Sequence, residues 1–349
     1  MTPRSAASRP VRARGLVESP LQLLSAVEAH AAGLGGAATT VHVRSDVPAL
    51  DDARRELEQV GLPDGLDLVL SARRAALGWR EPVELVGDAF SGLYQTAALP
   101  SAVPPAARLR RAERVVLLDD GLATLELVRV LTTDGAPLVR IGSAAGDVRR
   151  TLGTVAARQL RALARRGSLV LFTAMPLDTA TTKQLVGRGV RVVPNRFTWL
   201  AGVDLPGTPD EPTVVVGSGM VADGLLDPDG YVRWVADLAA SEPLRYFPHR
   251  RNDPSVLSRL AALPGVTVDA PGAPVELRLQ GLRAGQRVVT LPSTSSVLLT
   301  RMLGPRGVRV DARDVPETWW TAAASPSLRQ HLRSVLALAE AARAQGEQV

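Results

Sequence analysis

The chain has 349 residues, of which 46% are hydrophobic, 22% charged and 3% aromatic, and it has no cysteine. That length suits two domains of ordinary size, and the missing cysteine rules out a disulfide framework, a thiolate metal site and a cysteine nucleophile, so carboxylates, histidine and hydroxyls must carry any chemistry. The net charge of +6 is almost entirely arginine, with Lys183 the sole lysine, and the arginines are scattered with no aromatic platform between them, which argues against nucleic acid and suits a small anionic substrate.

Residues 1–14 carry Arg4, Arg9, Arg12 and Arg14 without an acid. They lack the apolar stretch of a secretory signal and no run reaches transmembrane length, so the expectation is a cytoplasmic protein with a basic disordered tail. Peripheral contact of that tail with anionic lipid at the inner membrane surface is the alternative.

From 15 to 195, valine- and leucine-rich runs alternate with amphipathic stretches: Thr39–Val43, Leu66–Leu70, Arg114–Leu118, Leu169–Phe172 and Val190–Val193. Fully apolar runs between helical segments are the signature of βαβ units and a parallel sheet. Residues 196–212, rich in glycine and proline, break the rhythm and read as a linker.

Alternation restarts in a second domain over 213–349. Strands are expected at Thr213–Val216, Leu244–Phe247, Val266–Val268, Arg287–Thr290 and Val308–Val310, and helices at Tyr231–Ala240, Pro254–Ala262, Pro274–Leu282, Ser295–Leu303 and a terminal Ser327–Ala344. Two Rossmann-like α/β domains facing across a cleft place ligands at the carboxyl ends of their strands.

Three strand ends carry chemistry. Asp119-Asp120-Gly121 follows an apolar run, and two adjacent carboxylates repel, which raises the pKa of one and poises it as a base. A helix cap starting near Leu122 is the alternative for either acid. Pro248-His249-Arg250-Arg251 sets a histidine beside cations that can bind a leaving phosphate. Ser293-Thr294-Ser295-Ser296 opens a helix, where amides and hydroxyls make an anion site. Gly217-Ser218 reads as a place where a ligand approaches the backbone, and Asp227-Pro228-Asp229 as a turn. No metal site is expected.

The ordered set Asp119-Asp120-Gly121, Pro248-His249 and Ser293 to Ser296 resembles the bacterial sialyltransferases of the GT-B fold, including the polysialyltransferase-like and lipooligosaccharide sialyltransferase families. Further likenesses are Glu18-Ser19-Pro20-Leu21-Gln22-Leu23, Gly87-Asp88-Ala89-Phe90-Ser91 ahead of Gln95, and Gly217-Ser218 before Asp223. The residue after His249 is Arg250 where that motif has proline.

The resemblance implies an inverting, metal-independent transfer of a sialic-acid-like sugar from a CMP-activated donor to a glycan hydroxyl, with no cofactor. An acid of the Asp119-Asp120 pair, with Asp119 favoured, would act as base and His249 would assist departure of the nucleotide. Gly217, Ser218, Pro248, Arg250, Ser293, Thr294, Ser295 and Ser296 would bind the donor, and Glu18, Ser19, Gln22, Asp88 and Gln95 the acceptor. A nucleoside diphosphate hexose donor and an inactive nucleotide- or glycan-binding protein are the alternatives. Arg196 to Trp199 and Trp319-Trp320 are expected in packing between the domains.

Overall fold

The computed structural model describes residues 11–72, 81–91, 112–140, 146–203 and 208–346. Contacts divide the chain into two compact units, one running to Thr173 and including Leu177–Asn195, the other formed by Ala174–Pro176 and everything from Arg196 on.

The first unit is built on a seven-stranded, all-parallel sheet in the order β3-β2-β1-β4-β5-β6-β7. The strands are β1 Arg12–Val17, β2 Ala38–Arg44, β3 Leu66–Ser71, β4 Val83–Val86, β5 Arg114–Leu117, β6 Leu169–Thr173 and β7 Val190–Pro194. The second unit has a five-stranded parallel sheet in the order β10-β9-β8-β11-β12, from β8 Thr213–Val216, β9 Leu244–Phe247, β10 Val266–Val268, β11 Arg287–Thr290 and β12 Arg309–Ala312. In both, the chain starts in the middle, winds outward, then returns to the other side. The order reverses between β1 and β4 and again between β8 and β11, and at such reversals the loops diverge and leave a crevice.

Burial follows composition. Val115, Leu117, Leu169 and Leu171 pack against Ala156, Ala157, Leu160 and Leu163 of the helix Asp147–Arg165, all fully or nearly fully buried. In the second unit Val215 and Val289 pack with Val235, Leu260, Tyr231 and Tyr246. The helix Pro20–Ala31 starts cleanly because Ser19 caps it and Pro20 occupies its first turn, and it buries Gln22 through His30.

Three expectations need correction. The segment 1–14 does not stay outside the sheet: Arg12, Ala13 and Arg14 belong to β1, where Ala13 is buried and Arg14, on the opposite face, meets its register partner Glu84 of β4 at 3.2 Å. Alternating arginines concealed a strand whose charge is paired inside the sheet. The helix expected over Pro274–Leu282 is a single turn, Val275–Arg278. The expected linker, for its part, holds the short helix Thr198–Ala201. Trp319 and Trp320 pack within the second unit, Trp319 edge-on to Trp234 at 6.1 Å and Trp320 beneath the Arg329 guanidinium at 5.4 Å.

Among the described residues no helix is long and apolar enough to cross a membrane.

Candidate active site

In the first unit the site grows from the carboxyl ends of β1, β4 and β5. The chain leaves β5 through Leu118 into Asp119-Asp120-Gly121, and Gly121 takes a φ of 63°, the left-handed region that a side chain resists. The helix that follows, Ala123–Thr132, has Leu122 at its N-cap position. The two carboxylates have different fates. Asp119 is fully buried and accepts a 2.7 Å hydrogen bond from the Thr124 hydroxyl. Asp120 keeps 19% of its side chain exposed.

Around Asp120 a polar network converges. Gln22 donates from Nε2 to Asp120 Oδ1 at 2.8 Å, while its own Oε1 accepts from the Glu18 amide at 2.7 Å. Arg140 lies 2.7 Å from Asp120 Oδ2 and 3.2 Å from Asp88 Oδ2, so one guanidinium bridges two acids. Asp88 is held in turn by the Phe90 amide at 2.8 Å. Gly87 is where Gln22 passes closest: a Cβ there would lie 2.4 Å from Gln22 Oε1 and 2.9 Å from the Leu16 carbonyl oxygen.

Burial raises the Asp120 pKa from 3.8 to about 6, helped by the neighbouring Asp88 and outweighing the Gln22 and Arg140 donors that favour the charged form. A carboxylate so tuned is ionised at neutral pH yet basic enough to take a proton. A small pocket lined by Asp88, Phe90, Leu118, Asp120 and Thr124, with about 10 Å³ of water-accessible space, opens beside it.

Of the expected acceptor residues, Gln22 and Asp88 therefore meet Asp120. Ser19 is used as a helix cap, accepting from the Gln22 amide at 3.3 Å. Glu18 lies 3.7 Å from Arg44. Gln95 lies outside the described residues. Arg140 escaped sequence reasoning: it comes from a stretch without helical or strand periodicity, and only its position beside two acids marks it.

In the second unit the ends of β8, β9 and β11 carry the other motifs. A Cβ on Gly217 would sit 2.6 Å from the Tyr246 hydroxyl, 2.9 Å from the Phe247 carbonyl oxygen and 3.0 Å from the His249 amide nitrogen, so the loop and β9 pack backbone to backbone. Beneath it the buried hydroxyls of Tyr231 and Tyr246 share a 3.0 Å hydrogen bond. Burial pushes the Tyr246 pKa up to about 12, keeping that pair neutral.

His249 follows the buried Pro248, and its Nδ1 lies 3.1 Å from the Arg251 amide nitrogen. Nδ1 lies equally 3.1 Å from the Arg251 carbonyl oxygen, so it accepts from the amide in one tautomer and donates to the carbonyl in the other. Burial is the main cause holding the ring's pKa below its usual value. Arg250 is exposed, whereas Arg251 reaches Asp223 at 2.9 Å and ties this loop to the one after β8.

The hydroxyl cluster is largely used by the protein itself. Ser293 and Ser296 form a reciprocal capping box: the Ser296 amide donates to Ser293 Oγ at 3.2 Å and the Ser293 amide to Ser296 Oγ at 3.3 Å. Ser295 donates to the buried Glu276 at 2.6 Å. What this end offers an anion is the first-turn backbone of the helix Thr294–Leu303 with its dipole, more than its hydroxyls. Replacing Ser293 by alanine is accordingly expected to cost about 1 kcal/mol of stability, measured by denaturant unfolding, while nucleotide affinity changes by less than about threefold.

Asp227 caps the helix Pro228–Ala239 through the Asp229 and Gly230 amides, in keeping with its reading as a turn. Among the described residues no group of three or more His, Cys, Asp or Glu side chains is arranged to hold a metal ion.

No family model and no curated protein matches the sequence. Solved structures do match in shape. A protein described as a UDP-N-acetylglucosamine 2-epimerase of Listeria monocytogenes superposes with a TM-score of 0.52 at 13% identity, covering 98% of this chain and 92% of that one. TcCGT1 in complex with UDP superposes with a TM-score of 0.50 at 11% identity, covering 96% and 94%. The chain has the GT-B fold. Within GT-B architecture the two clusters fall at the β1/β4 and β8/β11 reversals, where parallel sheets receive ligands.

Proposed function

We propose that the protein is a glycosyltransferase that moves a sugar from a nucleotide-activated donor to a hydroxyl of a glycan acceptor, with Asp120 as the general base. The observation that carries this reading is the Asp120 carboxylate, tuned to about 6 and positioned by Gln22 and Arg140 at a strand end. The acceptor oxygen bonds to the anomeric carbon as the bond from that carbon to the phosphate oxygen breaks. Asp120 takes the acceptor proton and the nucleotide leaves with the electron pair.

Charge grows on the phosphate as it departs. The His249 imidazole, in the tautomer protonated on Nε2, the Arg250 guanidinium and the first-turn amides of Thr294–Leu303 supply donors for it. Gln22 and Asp88 complete the acceptor side. Asp120 is preferred to Asp119 because Asp119 has no exposed surface and holds the Thr124 hydroxyl.

For the donor, a uridine diphosphate sugar is the first reading, supported by the UDP compounds named for both matched structures. A CMP-activated nonulosonic sugar is the second, favoured by the order of the three motifs Asp119-Asp120-Gly121, Pro248-His249 and Ser293 to Ser296. Calorimetric titration with UDP and CMP, followed by donor hydrolysis assays with each sugar class, separates them. Binding of neither nucleotide would sink the transferase reading altogether.

A further inference from the structure

The opposite edge of the first sheet carries a second polar site. A cavity of about 420 Å³ opens where the helices Ala123–Thr132, Asp147–Arg165 and Thr179–Gly187 end and β7 begins. Asp120 follows the carboxyl end of β5, whereas this cavity lies at the amino ends of the same parallel strands, so the two are separate. Its walls hold three guanidiniums, those of Arg161, Arg165 and Arg188, against the single carboxylate of Asp134.

Some of this charge has a structural duty. Arg161 Nη2 lies 2.8 Å from each of the carbonyl oxygens of Val130, Thr133 and Ala136, closing the end of a helix, and Arg188 meets Asp134 at 2.5 Å. That duty leaves much unexplained. Arg161 Nε is buried with no hydrogen-bond partner. Arg165 is exposed and has no ion pair among the described residues. Arg158, Arg165 and Arg188 all repel the Arg161 charge, and Asp134 is the one acid set against them. Asp134 is itself 84% exposed, so its screening of the cluster is weak. Like charges gathered around a cavity are relieved by an anion, and the planar fork of a guanidinium suits a pair of phosphate oxygens.

We propose that this cavity is a binding site for a phosphate-bearing anion, gripped by Arg165 and Arg188 with Arg161 behind them. The ligand is either a free phosphorylated metabolite or the headgroup of an anionic phospholipid, which share this chemistry.

Pyrophosphate, titrated calorimetrically at low salt into the full chain, is the probe. Arg165→Gln/Arg188→Gln is expected to weaken or remove a binding event by tenfold or more, with an unchanged circular dichroism spectrum. Gly217→Ala, altered only in the second unit, should keep that event, so a failed nucleotide reading does not disguise the result. Identical pyrophosphate titrations of the wild type and the double variant overturn the proposal. Sedimentation with phosphatidylcholine vesicles containing phosphatidylglycerol then identifies the source. Arginine-dependent sedimentation that pyrophosphate competes away assigns the headgroup, and pyrophosphate binding without sedimentation assigns a soluble ligand.

Discussion

Asp120→Asn lowers the transfer rate by about 10²- to 10⁴-fold, the range that a positioned proton acceptor contributes. The variant stays folded, because the amide still accepts from Gln22 and Arg140 retains Asp88. In the wild type kcat/KM should rise with pH through a limb centred near 6, where Asp120 loses its proton, and be flat above it. That limb should vanish in the variant. An unchanged rate would remove Asp120 from the chemistry.

The same substitution has the opposite effect on stability. A pKa of about 6 in the folded chain, against 3.8 for the free side chain, means that the folded state keeps a proton the unfolded state has released between those values. Stability therefore falls as pH rises through that window, by up to about 3 kcal/mol for two pH units. Asp120→Asn should escape this fall and unfold at a higher temperature than the wild type at pH 7. Asp119→Asn should do the reverse, losing stability through its buried bond to Thr124. Rate and Tm measured on both variants distinguish a base from a structural acid.

The second large effect is expected at Gly217→Ala. The new methyl group would need space now occupied by the Tyr246 hydroxyl, the Phe247 carbonyl oxygen and the His249 amide, two of them backbone atoms that cannot rotate away. The loops after β8 and β9 must separate, at a cost of roughly 1 to 3 kcal/mol in overpacking. His249 moves with them. Nucleotide affinity should fall by at least about tenfold, or 1.4 kcal/mol, with secondary structure retained. Equal affinity in titrations of the two proteins would show that the nucleotide binds elsewhere.

Much of the fold was legible because parallel strands buried on both faces are written as uninterrupted Val and Leu runs. Thr213–Val216, Leu244–Phe247, Val266–Val268 and Arg287–Thr290 agree residue for residue with β8 to β11. β1 was hidden by Arg12 and Arg14, and the partner of Arg14, Glu84, is remote in sequence. The acidic turn was legible as a feature, but the choice between its two carboxylates depends on which face Leu118 hands on, and composition does not encode that.

The serines show the converse. Ser293 and Ser296, three apart at a helix start, already spell a capping box, so half of the apparent anion site was local helix chemistry. Arg140 and Glu276 were illegible for a common reason: each is defined by long-range neighbours, Asp88 and Asp120 for one and Ser295 for the other.

Each sheet begins with an interior strand, and this sets the order in which the molecule can be assembled. β1 is made before the other strands of its sheet and can pair with β2 early, yet its other edge stays open until β4 has been made. Asp120 and Arg140 follow later still. The nascent first unit therefore exposes an apolar sheet edge and no working site until most of it has been synthesised, so any ligand that recognises the Asp120 cluster can act only as a late clamp on a nearly finished fold.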